Sequence, residues 1–328
     1  MANNINDVAR RRFLQGTGAA VTTTAIGSTA SASDATEKDE PTNGAKPMKT
    51  KPNEGPELIA HRGFAGKYPE NTAVAAKGSV RDGADMIEID VVPCADGEVV
   101  VFHDDGLSER DGGDKGLTDV DGLVWETDCE SVLNAEVLDS GATVPTLREV
   151  LEVIPASVGV NIELKNPGSS DLRFAENLHG DELATQEEIW RPFVRDTLAI
   201  ADDYRNEILV SSFYKAALST TRETDPSIPI AFLFWNDIEA GLEITREYDA
   251  EALHPPYNLV RGSPFFEDDY AGGDGPYADI DLVEVAHEEG REVNVWTIQT
   301  WYQATQLADA GVDGLIADYP DLLFRSPQ

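Results

Sequence analysis

Short apolar segments alternate with helical segments along most of this chain, and this alternation restricts its possible folds more than any other feature. Eight segments read as strands: 58–60, 86–92, 158–165, 207–213, 228–235, 252–255, 293–298 and 314–317. Helical composition or periodicity marks 71–83, 146–154, 187–204, 216–224, 238–248, 280–289 and 301–310. Eight strands with intervening helices predict a closed parallel (β/α)8 barrel, the TIM-barrel architecture. The alternative is an open doubly wound sheet, which is weakened because no GxGxxG motif follows the first strand.

Polar side chains collect where the predicted strands end. They are His61, Arg62, Glu163, Lys165, Ser211, Ser212, His254, Trp296, Thr297 and Asp318. In barrels of this type the catalytic groups gather at the C-terminal ends of the strands. The simplest account is one cleft that holds acids, histidines and two cations, although His254 could equally be structural.

The second predicted strand carries two carboxylates, Glu88 and Asp90. Their side chains point to the same face because they are two residues apart. The turn residues 95–97 and the mostly apolar residues 98–102 predict a β-hairpin, which brings His103 and Asp104 back beside the acids. Such a cluster suits a hard divalent cation next to an acid–base residue. Taken alone, the segment is equally consistent with a half-buried strand that has a solvated acidic face.

Residues 104–143 follow the hairpin and are rich in glycine and aspartate, which predicts an insertion with little regular structure. The two cysteines of the chain are Cys94, at the hairpin tip, and Cys129, inside the insertion. Their spacing matches no metal-binding motif. The sequence leaves open whether they form a disulfide or remain free thiols.

The charge of the chain is strongly acidic, with 61 Asp and Glu against 25 Lys and Arg and a formal net charge of −36. The acids occur in every segment, so the whole surface is affected. Such a surface argues against binding to nucleic acid or to anionic membranes. It is typical of proteins that work in molar salt, where the mutual repulsion is screened. The composition therefore predicts a halophilic source.

The N-terminal residues read as an export signal. Residues 10–14 (RRRFL) open a mildly apolar stretch that ends at 30–32 (ASA), which resembles a twin-arginine signal with its cleavage site. The alternative is a disordered basic tail. The prediction is a signal peptide over 1–32, a flexible acidic linker over 33–55 and a catalytic domain over 56–328. The apolar region is too short and polar for a stable membrane anchor, so the expected location is extracellular or at the cell surface.

Several of these motifs together resemble the glycerophosphodiester phosphodiesterase family, whose members are (β/α)8 barrels. The matching stretches are HRGFAGKYPENT (61–72), EIDVVPCADGEVVVFHD (88–104), VPTLREVL (144–151), IELK (162–165), SSF (211–213), VWT (295–297) and GVDGLIADYPD (311–321). They occur in the family's order and cover nearly all of the chain after the linker.

The resemblance implies a metal site and a pair of acid–base histidines. The metal ligands would be Glu88, Asp90 and Glu163, and the acid–base pair would be His61 and His103. Three carboxylates suit one divalent cation, most readily Ca²⁺ or Mg²⁺, although Mn²⁺ would also fit. One histidine would take a proton from the nucleophile while the other protonates the leaving alkoxide.

The resemblance also implies roles for the residues around this centre. Arg62 and Lys165 stand where the family contacts phosphate. Trp296 would either line the pocket for the alcohol group or be a buried packing residue. Glu70 and Asn71 would orient Arg62 or a metal ligand.

These expectations favour a metal-dependent hydrolase that releases sn-glycerol 3-phosphate and an alcohol from small soluble glycerophosphodiesters. A phospholipase C- or D-like enzyme acting on lipid or lysolipid is the alternative within the enzymes. From another class, the chain could be a catalytically inactive exported binding protein. The intact set of histidines and carboxylates argues against that last hypothesis.

Overall fold

A computed structural model describes residues 55–110, 115–174, 178–270 and 279–323. The predicted signal peptide and all but the last residue of the predicted linker lie outside these ranges. The strands are β1 Glu57–Ala60, β2 Met86–Pro93, β3 Val99–Val101, β4 Gly159–Leu164, β5 Ile208–Ser212, β6 Ile230–Leu233, β7 Ala252–His254, β8 Glu292–Ile298 and β9 Gly314–Ala317. The helices are α1 Ala73–Arg81, α2 Cys129–Asn134, α3 Leu147–Leu151, α4 Gly180–Ala201, α5 Lys215–Thr224, α6 Ile238–Glu247, α7 Leu282–Glu288 and α8 Trp301–Asp309.

Eight of the strands close into a parallel barrel, so the predicted fold is confirmed. The order around the ring is β1-β9-β8-β7-β6-β5-β4-β2, and β1 also pairs with β2. Strand β3 lies outside the ring and pairs antiparallel with β2, as the predicted hairpin requires. Strands β2, β4, β5 and β6 are buried along their whole length, because helices cover the outside of a parallel barrel.

Most predicted elements are present with their ends moved by a few residues, and helix α4 differs most. It begins at Gly180 rather than at residue 187. Its first two turns carry mostly polar, exposed side chains, so they lack the apolar periodicity that marks the rest of the helix. Local capping defines other helix starts well: Thr146 and Thr300 each form a capping box, with Glu149 and Gln303 respectively.

The insertion after the hairpin has little regular structure, as predicted, but its described residues pack more compactly than the composition indicates. It contains helix α2, a 3-10 turn at Val124–Glu126 and a small hydrophobic core of its own. This core includes Leu107, Leu117 and Val132 and packs on the side of the hairpin that faces away from the barrel core. A disulfide joins Cys94 to Cys129, with 5.3 Å between their Cα atoms, so the hairpin tip is tied to the insertion.

Within the described residues, no helix combines the length and the apolar character that a membrane crossing requires.

Candidate active site

Three carboxylates meet at the mouth of the barrel on the neighbouring strands β2 and β4. Asp90 and Glu163 are direct partners in the parallel register. Glu88 lies two residues before Asp90 on the same strand, so both side chains point to the same face. One oxygen from each of the three lies within 4.8 Å of the others. All three side chains are buried. Glu88, Asp90 and Glu163 therefore form one compact cluster of negative charge.

The pKa values of the three carboxyl groups show that it is unfavourable to ionise all of them together. Burial raises the pKa of Glu88 well above its ordinary value, and the charges of Asp90 and Glu163 add to the shift. Burial likewise raises the pKa of Glu163 to about 7, although Lys165 opposes the shift. Burial would also raise the pKa of Asp90, but its neighbours His103, Arg62 and Lys165 outweigh it and lower this pKa to about 2. Neighbouring carboxylates that cannot all be ionised at once without an added cation are typical of a cation-binding site.

The donor atoms also fit a metal ion. Glu88 Oε2 accepts a hydrogen bond from the backbone N–H of Arg62 at 2.7 Å. The other oxygen, Oε1, is buried and has no hydrogen-bond partner among the described residues. A buried carboxylate oxygen without a donor is costly unless a cation satisfies it. The three carboxylates could therefore hold a divalent metal through oxygen ligands.

Two histidines stand at the same end of the barrel, each paired with an aspartate. His61 lies in the 3-10 turn after β1, and its Nδ1 is 2.7 Å from Asp318 Oδ1, just after β9. His103 follows β3, and its Nδ1 is 2.9 Å from Asp104 Oδ1. An aspartate at Nδ1 fixes the orientation of the imidazole and leaves Nε2 for proton transfer. The geometry thus suits both histidines to acid–base chemistry.

His103 and Lys165 are in direct contact, which joins the histidine to the carboxylate cluster. Lys165 Nζ lies 3.0 Å from His103 Nε2 and 2.8 Å from Glu163 Oε1. Burial, together with the charges of Arg62 and Lys165, holds the pKa of His103 well below its usual value. The imidazole is consequently neutral near pH 7, so its Nε2 accepts the hydrogen bond from the lysine.

Arg62 is held by three acids. Its NH1 donates to Glu70 Oε1 at 2.8 Å, and its Nε lies 3.3 Å from Asp90 Oδ2. Its backbone has a φ of 49°, in the left-handed region, which turns its N–H onto Glu88. A guanidinium fixed in this way is oriented before any anion arrives.

Asn71 holds Asp90, one of the three clustered carboxylates, through two hydrogen bonds. Its Nδ2 donates to Asp90 Oδ2 at 2.8 Å, and its Oδ1 accepts from the Asp90 backbone N–H at 3.2 Å. This two-point contact fixes the Asp90 side chain against its own strand. Orientation of a metal ligand by a neighbouring amide is a common arrangement around metal sites.

Trp296 has the packing role that the sequence offered, and its role in an alcohol pocket stays a prediction. Its indole Nε1 donates to the backbone oxygen of His254 at 2.7 Å, which is a packing role. It is half-buried and meets Phe213 edge to face with 5.7 Å between centroids. Lys165 Nζ lies 5.8 Å from the centroid of the Phe213 ring. The tryptophan is therefore part of an aromatic wall beside the candidate phosphate site.

His254 has the surroundings expected of a structural residue. It is fully buried in the barrel, its Nε2 is 3.1 Å from Asn294 Nδ2, and burial lowers its pKa to about 3. A fully buried, neutral imidazole with an amide partner is typical of a structural histidine.

Several partners of the candidate residues were missed in the sequence. Asp318 and Asp104 are visible at strand ends, but their pairing with His61 and His103 depends on the folded geometry. Gln299 donates to Asp318 Oδ2 at 2.8 Å and has no motif of its own. Arg110 contacts both Glu70 and Asp104 from within the insertion. Its only signal is that it is the one basic residue among five acids in 104–114.

Known proteins resemble this chain in sequence and in structure. Residues 61–322 match the model of the "Glycerophosphoryl diester phosphodiesterase family". A glycerophosphodiester phosphodiesterase of Bacillus altitudinis is 29% identical over 272 residues, covering 80% of this chain and 95% of that protein. Another, from Caldanaerobacter subterraneus subsp. tengcongensis, is 28% identical over 279 residues, covering 82% and 96%. A phosphodiesterase of Oleispira antarctica, solved in complex with the product sn-glycerol-3-phosphate, has a TM-score of 0.63 and 27% identity, covering 81% of this chain and 94% of that one. The chain therefore belongs to the glycerophosphoryl diester phosphodiesterase family.

Proposed function

We propose that this protein is a metal-dependent phosphodiesterase that hydrolyses glycerophosphodiesters to sn-glycerol 3-phosphate and an alcohol. The observation that carries the proposal is one cleft containing two aspartate-paired histidines, two fixed cations and a three-carboxylate cluster. The named activity of the relatives and the product bound to the Oleispira antarctica structure support the same chemistry. Every group that this reaction needs lies at the C-terminal end of the barrel.

In the proposed mechanism, Arg62 and Lys165 bind the phosphodiester and spread the negative charge that builds on its oxygens. His61 and His103 divide the proton transfers. One takes a proton from the attacking hydroxyl, and the other gives a proton to the departing alkoxide. The nucleophile is either water or the glycerol 2-hydroxyl, which would give a cyclic phosphate first. Asp318 and Asp104 keep each imidazole in the tautomer with Nδ1 protonated, and Nε2 of His103 becomes available for proton transfer when Lys165 donates to the phosphate instead.

Glu88, Asp90 and Glu163 are the proposed metal ligands, and Asn71 would orient Asp90. A divalent cation there would polarise a phosphoryl oxygen and help to position the substrate. The all-oxygen donor set favours Ca²⁺ or Mg²⁺ and also accommodates Mn²⁺.

A second candidate substrate is a lysolipid, and one observation favours it. Aromatic rings in successive contact, with centroids 4.3 to 6.2 Å apart, extend from the Lys165 side of the cleft to the surface. They are Phe213, Trp296, Tyr270, Tyr257, Phe265, Tyr302 and Trp301. Trp301 and Tyr302 at the outer end are exposed. Such a path offers apolar contact area for an acyl chain, which a soluble diester lacks.

The first experiment measures release of sn-glycerol 3-phosphate from glycerophosphocholine in high salt, with and without EDTA. We expect turnover that EDTA removes and an added divalent cation restores. Turnover that survives thorough chelation would contradict the metal-dependent mechanism. A parallel reaction with monomeric lysophosphatidylcholine separates the two substrates, because kcat/KM should be higher for the lysolipid only if the aromatic path binds its acyl chain.

We also propose that the protein is exported and works in concentrated salt. The twin-arginine-like residues 10–14 support export, and so does the Cys94–Cys129 disulfide, since disulfides persist in oxidising compartments. The net charge of −36 supports a salt-rich environment.

Salt should stabilise this protein well beyond physiological ionic strength. At 0.15 M salt the Debye length is about 8 Å, and it falls to about 3 Å at 1 M, so repulsion among surface acids weakens as salt is added. We expect the melting temperature to rise steadily from dilute buffer to molar KCl in thermal unfolding experiments. An equal melting temperature in dilute buffer would contradict the halophilic interpretation.

A further inference from the structure

Arg110 reaches from the insertion to two buried carboxylates that each hold a different candidate active-site residue. Its NH2 donates to Glu70 Oε2 at 2.6 Å, and Glu70 accepts from Arg62 through its other oxygen at 2.8 Å. Its NH1 lies 3.5 Å from Asp104 Oδ2, and Asp104 contacts His103 through its other oxygen at 2.9 Å. The Arg110 guanidinium is thus linked to the candidate phosphate-binding Arg62 through Glu70 and to the candidate acid–base His103 through Asp104.

The loop that carries Arg110 is fixed at its base by hydrogen bonds. The Leu107 N–H donates to the Gly122 oxygen at 2.9 Å, and the Val124 N–H donates to the Asp105 oxygen at 3.0 Å. The Leu107 side chain is fully buried in the small core of the insertion. The chain is therefore anchored three residues before Arg110, and the Arg110 side chain is held by its own contacts with Glu70 and Asp104.

We propose that Arg110 is a positioning residue that couples Arg62 to His103 through Glu70 and Asp104. The proposal rests on the proposed phosphodiesterase function of the same cleft. It assigns a role to the insertion, which supplies the Arg110 guanidinium to the two carboxylates. Arg110 itself would act through the two carboxylates and contact neither the substrate nor the metal.

Burial separates this arrangement from an ordinary surface ion pair. The side chain of Arg110 is 31% exposed, but those of Glu70 and Asp104 are only 9% and 1% exposed. Carboxylates with so little hydration depend on nearby positive charge: without Arg110, Glu70 would keep Arg62, and Asp104 would lose a cation 3.5 Å away. Burial would raise the pKa of Glu70, but Arg62 and Arg110 outweigh it and lower this pKa, so Glu70 remains an ionised acceptor for both arginines.

The shape of arginine also matters here, because one nitrogen donates a hydrogen bond to Glu70 while another forms a 3.5 Å ion pair with Asp104. A lysine in this place has a single nitrogen at the end of a flexible stem and can satisfy only one of them well. The conservative variant is therefore informative, since it keeps the charge and removes the two-way contact.

The test compares Arg110→Ala and Arg110→Lys with Arg148→Ala, which removes another arginine whose 2.9 Å ion pair with Asp203 is exposed. We expect Arg110→Ala to lower kcat/KM for glycerophosphocholine about 10- to 100-fold, as the loss of a group that orients catalytic residues commonly does. KM should rise through the Arg62 side and kcat should fall through the His103 side. Arg110→Lys should recover part of the loss, and Arg148→Ala should match the wild type.

A double-mutant cycle with Glu70→Gln tests the coupling without relying on turnover. The affinity for sn-glycerol 3-phosphate, measured by calorimetry, should fall in Arg110→Ala and in Glu70→Gln, and the double variant should be no weaker than Glu70→Gln alone. A purely structural role would lower the melting temperature and leave KM and product affinity of the folded enzyme unchanged. That result, or additive losses of affinity, would overturn the proposal.

Failure of the proposed function would give a different pattern. The wild-type protein would then neither turn over a glycerophosphodiester nor bind the product, whereas a failed coupling leaves an active wild type and an equally active Arg110→Ala variant. An inactive wild type therefore overturns the function and the coupling together, whereas an active wild type with an equally active Arg110→Ala variant overturns the coupling alone.

Discussion

Replacing His103 by alanine is expected to lower kcat by about 10²- to 10⁴-fold, the usual contribution of a general acid or base. The imidazole lies within hydrogen-bond distance of Lys165 at one nitrogen and of Asp104 at the other, so it is oriented before the substrate binds. Its depressed pKa keeps it neutral near pH 7, which a proton acceptor requires. KM should change much less, because Arg62 and Lys165 remain to hold the phosphate. Steady-state kinetics with glycerophosphocholine under metal-saturated, high-salt conditions measures both constants.

His287→Ala is the matched control for this substitution. His287 is an exposed histidine on α7 whose Nε2 lies 2.8 Å from Asp313, away from the barrel mouth. Its removal should leave kcat unchanged. His61→Ala should resemble His103→Ala, and the double variant should lose little more than either single one, because the two histidines act in one reaction. Wild-type turnover by a folded His103→Ala variant would mean that the acid–base residues are wrongly assigned.

Local sequence pattern was enough to predict the barrel and to identify residues that the fold brings together. Glu88 and Asp90 share a face because alternate residues of a strand always do, whatever the tertiary structure. Asp90 lies beside Glu163 because neighbouring parallel strands end at the same edge of the barrel. His103 returns to this edge because the hairpin is short. Each of these inferences requires only the position of a strand, the length of a turn and the direction in which the strand runs.

The contacts that the sequence did not reveal depend on closure of the barrel or on irregular packing. His61 and Asp318 are 257 positions apart, and they meet because β1 pairs with β9 where the ring closes. The insertion has neither strand alternation nor helical period, so its small core and its disulfide could not be read from spacing. Arg110 was missed for the same reason, since its place depends on how that core folds.

Metal binding should depend steeply on pH, because protons and the cation compete for the same carboxylates. In the metal-free protein the pKa of Glu163 is about 7, above its ordinary value of 4.5, and burial is the main cause. A raised folded-state pKa means that this group contributes stability at pH values below 4.5, and that the contribution is lost as the pH rises through 7. A bound cation reverses this trend by neutralising the ionised carboxylates. The metal-induced rise in melting temperature should therefore be small at pH 6 and larger at pH 8.

Thermal unfolding of EDTA-stripped protein, with Ca²⁺, Mg²⁺ or Mn²⁺ added back at each pH, measures this effect. A cation at about 100 times its dissociation constant adds about 2.7 kcal/mol, or roughly 5 °C for a domain of this size. Glu163→Gln replaces the ionisable ligand with a neutral side chain of the same shape. It should remove most of the metal effect, flatten its pH dependence and lower turnover by at least about 100-fold, since a catalytic cation supplies several kcal/mol. The metal-free variant should be at least as stable as the metal-free wild type at pH 8, because it carries one buried negative charge fewer. A wild-type protein stabilised equally by the cation at pH 6 and pH 8 would show that the metal binds elsewhere.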